Sequence, residues 1–142
     1  MIAASLHSLE RLAVSKRHVA PLLLRIALGA VFLAHAYAKL AIFTLPGTVA
    51  FFQAQGLPGW TVYPVLAVEL VGGLCLILGI GVRIAAAALI PVMLGALVPH
   101  AGNGWMFTNP GGGWEYVAFL IVMLVVQLLL GRGDARDPEN VR

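Results

Sequence analysis

The chain has 142 residues, 61% apolar and 11% charged, with a mean hydropathy of +0.94 and a formal net charge of +3. That mix lies outside the range of soluble domains and places the chain in a lipid bilayer, with no room in these residues for a separate soluble catalytic domain. The modest positive excess is distributed as a topology signal rather than as a basic binding face, so nucleic acid is not an expected partner.

Residues 1–19 read as a cytoplasmic or interfacial arm. Leu6, Leu9 and Leu12 follow helical spacing beside Arg11, Lys16 and Arg17, a pattern suited to a short helix on anionic headgroups, with a solvated arm as the alternative. Basic residues leading into an apolar run, and "AYA" at 36–38, also suggest a cleaved signal peptide. The leading segment is too long for that and Arg25 interrupts it, so a retained first span is expected.

Crossing a membrane takes about 20 predominantly apolar residues, and four stretches approach that length: 20–42, 62–80, 83–99 and 114–131. The expected fold is therefore an all-α membrane protein, a four-transmembrane-helix bundle over residues 20–131, followed by a cytoplasmic tail at 132–142. In the first span Ala27, Ala30, Ala34, Ala38 and Ala41 recur at steps of three or four. Such small-residue stripes let membrane helices approach closely, so this face is expected to pack, with Gly72 and Gly73 doing the same in the second span. Pro91 is expected to kink the third span and Pro99 to close it.

The first outer loop, "TLPGTVAFFQAQGLPGW" at 44–60, reads as a turn at Pro46 and Gly47, a short helix capped by Thr48, and a stop at Gly56 and Pro58. Phe51 and Phe52 then lie at the interface. The second, "HAGNGWMFTNPGGGWEY" at 100–116, is glycine-rich and carries Trp105, Phe107 and Trp114, which serve either as aromatic-belt anchors or as part of a flexible lid.

Lys and Arg flanking the spans stay on the cytoplasmic side. Arg11, Lys16 and Arg17 precede the first span, Arg83 lies in the turn after the second, and Arg132, Arg136 and Arg142 follow the fourth. Both termini are thus expected in the cytoplasm of a bacterium, with the spans in its inner membrane. Arg25 and Arg83, near inner helix ends, are expected to anchor that face. Toward the other leaflet fall His35 and Lys39 in the first span, Glu69 in the second, His100 closing the third and Glu115 opening the fourth. A charge at helix centre costs on the order of 3 kcal/mol by insertion scales and so turns inward to a partner. These five residues are expected to line one pocket open to the outer leaflet, with Glu69 paired to Lys39, His35 or His100.

The segments "LLLRIALGAVFLAHAYAKL" (22–40), "FFQAQGLPG" (51–59), "VELVGGLCLILGIGVRIAA" (68–86) and "GGGWEYV" (111–117), in this order and spacing, resemble the DoxX family of small bacterial four-helix membrane proteins. The tail "GRGDARDPENVR" lacks the Ser-Leu-Asp ending of many members, which removes support for a tail-based role. The resemblance implies redox work at the membrane, either as a subunit of a quinone-reducing enzyme or as a membrane partner of soluble redox or thiol-handling enzymes. It supplies no residue roles.

Quinone chemistry suits the constellation on physical grounds. A quinone site needs donors for two carbonyl oxygens and a His or carboxylate that exchanges protons, and Glu69 and His100 are the proton-handling candidates. No intrinsic cofactor is expected. Cys75 is the single cysteine, which leaves neither an internal disulfide nor a cysteine-held cluster within one chain. Gly72 and Ala118 stand where a Glu-x-x-His di-metal pattern would need His, so no metal is expected. Haem between His35 and His100 is a remote alternative. Electrons are expected from a redox partner protein, with self-association also expected. A non-catalytic scaffold for a partner enzyme is the main alternative, and a small-solute or proton transporter using the axis from Arg25 to Glu69 ranks last. Reporter fusions test the topology: signals at both ends are expected to be cytoplasmic and those in both outer loops periplasmic, and a periplasmic signal at either end contradicts it.

Overall fold

The computed structural model describes residues 19–133. The expected N-terminal surface helix and most of the tail lie outside these residues. The described chain is all-helical: α1 Val19–Tyr37, α2 Leu45–Ala54, α3 Val62–Leu78, α4 Val82–Leu97 and α5 Glu115–Leu130. A turn of π-helix, Ala38–Ile42, extends α1, and a 3-10 turn, Gly59–Thr61, leads into α3. With these extensions, Val19–Ile42 and Gly59–Leu78 span 24 and 20 residues and are long and apolar enough to cross a bilayer. The apolar helices α4 and α5 are shorter, at 16 residues each.

α1 packs on α3, α3 on α4, α4 on α5, and α5 back on α1. The reversal between α3 and α4 is a short turn whose Gly79 and Gly81 take φ of +73° and +55°, a left-handed conformation that side chains with a Cβ resist. α4 continues through Pro91 without a break. α2 begins three residues before the expected cap: the side chain of Thr44, not Thr48, accepts from the Gly47 amide at 3.3 Å, and Pro46 occupies the first turn, where no amide donor is required. Thr48 is instead a buried residue within α2.

The core follows one stripe per helix. Leu28, Phe32 and Ala36 of α1 recur every four residues; Leu28 and Phe32 meet Leu76 of α3, Leu89 of α4 and Leu120 and Leu124 of α5, while Ala36 packs with Val62 and Leu66 of α3. The alanine stripe expected to pack is not used among the described helices of this chain. Ala27, Ala30, Ala34 and Ala41 are exposed, because Leu28, Gly29 and Phe32, on the adjoining face, take the inward position. Close approach belongs to the glycines: a Cβ on Gly29 would lie 2.6 Å from Cγ1 of Ile77 and 2.7 Å from the carbonyl oxygen of Gly73. Gly29→Ala is therefore expected to force α1 from α3 and cost about 1–3 kcal/mol, whereas Ala34→Leu on the exposed stripe stays within about 0.5 kcal/mol. Reversible unfolding in mixed detergent measures both, and equal losses would contradict this packing.

Candidate functional site

Glu69 occupies the second turn of α3 with 3% of its surface exposed. Its partner comes from the π turn. Lys39 Nζ donates to Oε1 at 2.7 Å and to Oε2 at 2.9 Å, and the lysine side chain retains 18% exposure. A buried carboxylate is tolerable only when paired and hydrogen-bonded, and bridging both oxygens with one ammonium meets that need. An ammonium carries three donors, so Lys39 keeps capacity for one more acceptor.

The pair borders a cavity of about 680 Å³. Its walls are mostly apolar, from Phe32 of α1, Phe51 and Phe52 of α2, Val65 of α3, Met93 of α4 and Leu120 of α5. Its polar lining comprises His35, Lys39, Thr48, Gln55, Thr61, Glu69, His100 and Tyr116. A chamber of this size, apolar with a few convergent polar groups, is the usual form of a small-molecule site.

The two histidines are oriented by carbonyls. His35 Nδ1 lies 2.8 Å from the Val31 carbonyl one turn back, and His100 Nδ1 lies 2.9 Å from the Gly112 carbonyl. A carbonyl oxygen only accepts, so each Nδ1 bears the proton and each Nε2 is left to exchange one. The His35 ring also stacks on Tyr116, with centroids 6.4 Å apart and planes at 21°.

Four of the five expected pocket residues thus share the chamber. Glu115 does not. It accepts from the Phe107 amide at 2.9 Å and lines a separate hollow of about 490 Å³ with Trp105, Phe107, Tyr116 and Phe119. Helical spacing places Glu115 at the head of α5 but does not show that the preceding loop folds over it. That loop is tied to itself rather than slack. Asn103 Nδ2 reaches the carbonyls of Pro99, Gly111 and Gly112, each at 3.0 Å, and Trp105 meets Trp114 edge to face at 4.5 Å. The two tryptophans pack on each other, while Phe51 and Phe52 of the first loop line the chamber.

The two arginines attend helix carboxyl ends. Arg25 lies over Gly79, the residue closing α3, with Nε and Nη1 buried and without an acceptor among the described residues, and Arg83 Nε donates to the Leu128 carbonyl in the last turn of α5 at 3.2 Å. Positive charge is favoured there by the unpaired carbonyls of the helix end. Sequence reasoning passed over Gln55 and Tyr116 as chamber residues and took Thr48 for a cap.

Comparison with known proteins identifies the group. The family model for DoxX matches residues 20–102. The chain belongs to the DoxX family. The matched segment holds His35, Lys39, Glu69 and His100 and stops short of Glu115. This DoxX chain is also similar to "Putative oxidoreductase CatD" of Bacillus subtilis (strain 168), at 32% identity over 91 residues, which cover 60% of this chain and 66% of that protein, just under two thirds of its length. No solved structure matches the chain. The DoxX family is membrane-associated, and two of the described helices are long and apolar enough to cross a bilayer.

The ion pair makes an energetic prediction. Lys39→Met strands the Glu69 carboxylate in an apolar surround and is expected to cost about 3 kcal/mol, the low end for a broken buried pair because Lys39 is partly exposed. The double change Lys39→Met with Glu69→Met removes both charges and is expected to cost less than the single change. Detergent unfolding of the three proteins decides, and additive losses would refute the coupling.

Proposed function

We propose that the chamber binds the headgroup of a quinone, or a similar small redox-active carbonyl compound, and that this DoxX chain works as the membrane subunit of an oxidoreductase. The observation that carries this reading is the Lys39–Glu69 pair at the edge of a large apolar chamber. Once Glu69 is neutralised by Lys39, the chamber offers donors to a ligand, from Lys39 and the Gln55 amide. A flat apolar ring with two carbonyl oxygens complements that lining. On reduction each carbonyl oxygen gains one proton as the ring takes two electrons; Lys39 can release one proton and recover it by way of Glu69, and a protonated His35 or His100 can supply the other through Nε2. The electrons come from a partner protein, since a single Cys75 leaves this chain without a cysteine-held cluster of its own.

The same reading places four helices across the bacterial inner membrane, with both ends in the cytoplasm and the chamber open to the outer leaflet. The basic flanks of the sequence support this, and α4 and α5 cross as the shorter members of the bundle. The oxidoreductase named in the Bacillus relative agrees in class. A scaffold, in which the ion pair serves only to join helices, is the competing account because Lys39 and Glu69 link two elements directly.

One assay separates the two accounts. Membranes carrying Glu69→Gln or His100→Ala are measured for quinone-linked activity and for the yield of assembled complex. Proton handling predicts at least about a tenfold loss of activity per complex at normal yield, since such groups contribute on the order of 10²-fold or more. Unchanged activity per complex in both proteins, with reduced yield, would leave scaffolding as the better account.

A further inference from the structure

Three polar side chains are buried among the described residues: Thr48, Glu69 and Gln127. Glu69 answers to Lys39, and Gln127 donates to the Gly131 carbonyl at the end of its own helix, at 2.7 Å. The Thr48 hydroxyl does something different. It lies 3.0 Å from the carbonyl of Thr44, the cap of α2, and, at the same distance, donates to the carbonyl of Lys39, nine residues earlier on another element.

Lys39 sits in the π turn, which closes when the Phe43 amide donates to the Ala38 carbonyl five residues back at 2.8 Å. A π turn inserts one residue into the α-helical register, so side chains beyond it are rotated by about 100° relative to an uninterrupted helix. Such turns are rare and need outside support. Here the support is the hydroxyl of Thr48, buried in α2, whose Phe51, Phe52 and Gln55 line the chamber.

The geometry assigns to Thr48 the role of positioning residue: its hydroxyl holds the π turn in the register that aims Lys39 at both oxygens of Glu69, and so ties the ion pair to the helix that walls the chamber. As a role in ligand binding this rests on the reading of the chamber as a ligand site. Thr44, with φ of +63° and no glycine to ease it, adds to the argument. A strained backbone persists where its surroundings hold it, and both its side chain and its carbonyl are engaged, by the Gly47 amide and by the Thr48 amide.

The test uses a convenience of the sequence. Lys16 and Lys39 are its only lysines, so Lys16→Arg leaves Lys39 as the sole site for a lysine-selective 13C and 15N label and as the one lysine open to an amine-acylating reagent, its product resolved from that of the N-terminal amine by peptide mass. Thr48→Val keeps the shape and removes the hydroxyl. It is expected to move the Lys39 resonance toward its position in Glu69→Gln and to speed acylation of the amine about fivefold, as for the loss of one hydrogen bond, while Thr48→Ser restores both. If Thr48→Val does not assemble, Thr48→Ala removes the same hydroxyl without bulk. A folded, hydroxyl-free protein with the original Lys39 resonance and acylation rate overturns the assignment, even if its thermal stability falls. Titration with a short-chain quinone is read separately. Absence of binding in every protein would defeat the chamber reading while the lysine measurements still stand, and equal affinity in Thr48→Val and Thr48→Ser would defeat the positioning role in binding.

Discussion

A carboxylate with 3% exposure, set in a bundle of apolar helices, has few tolerable surroundings. Either it is neutral or it meets a cation at hydrogen-bonding distance. This chain takes the second course, and that choice governs the geometry around it. The cation has to arrive from α1 at the depth of the second turn of α3, and it does so on the single π turn at the end of α1. The buried threonine of α2 then supports that turn. One constraint on one side chain thus connects three successive elements.

The chamber and the tight part of the bundle are two ends of the same helix pair. At Gly29 and Gly73 the backbones of α1 and α3 come close enough that Gly29 has no room for a Cβ and one on Gly73 would lie 3.1 Å from the Gly29 carbonyl oxygen. Ten residues further along α1, on the order of 15 Å of rise, Lys39 and Glu69 fill the gap with their side chains and α2 covers it. Glycines at one level and long polar side chains at the next allow one pair of helices to be both closely packed and hollow. The aromatic rings of α2 keep the hollow apolar, so the few polar groups in it act at close range, with little screening by water.

The opposite end is polar in another sense. Arg25, Arg83 and Gln127 each attend the carboxyl end of a helix, at Gly79, Leu128 and Gly131. These positions balance the unpaired carbonyls left where helices stop. Their grouping explains why the same chain can carry positive charge at one end and a donor-lined chamber at the other without either disturbing the other's packing.

Composition and hydropathy by themselves determined that the chain is helical and apolar enough for a membrane, where its long helices lie, and which ionisable residues have to turn inward. Glu69 was legible because an acid deep in an apolar stretch has no other outcome, and Lys39 because it falls at a matching depth on the neighbouring stretch. Tertiary structure decided the rest. The alanines of α1 mark a face by their spacing, but spacing carries no information on which face a neighbour will cover, and Leu28, Gly29 and Phe32 turned inward instead. Glu115 falls toward the same leaflet as the other four residues yet is held away from them by a loop whose fold depends on the hydrogen bonds of Asn103 and on the edge-to-face contact of Trp105 with Trp114. The π turn and its support by Thr48 have no sequence signature, because they exist only once a carbonyl of one element meets a hydroxyl of another.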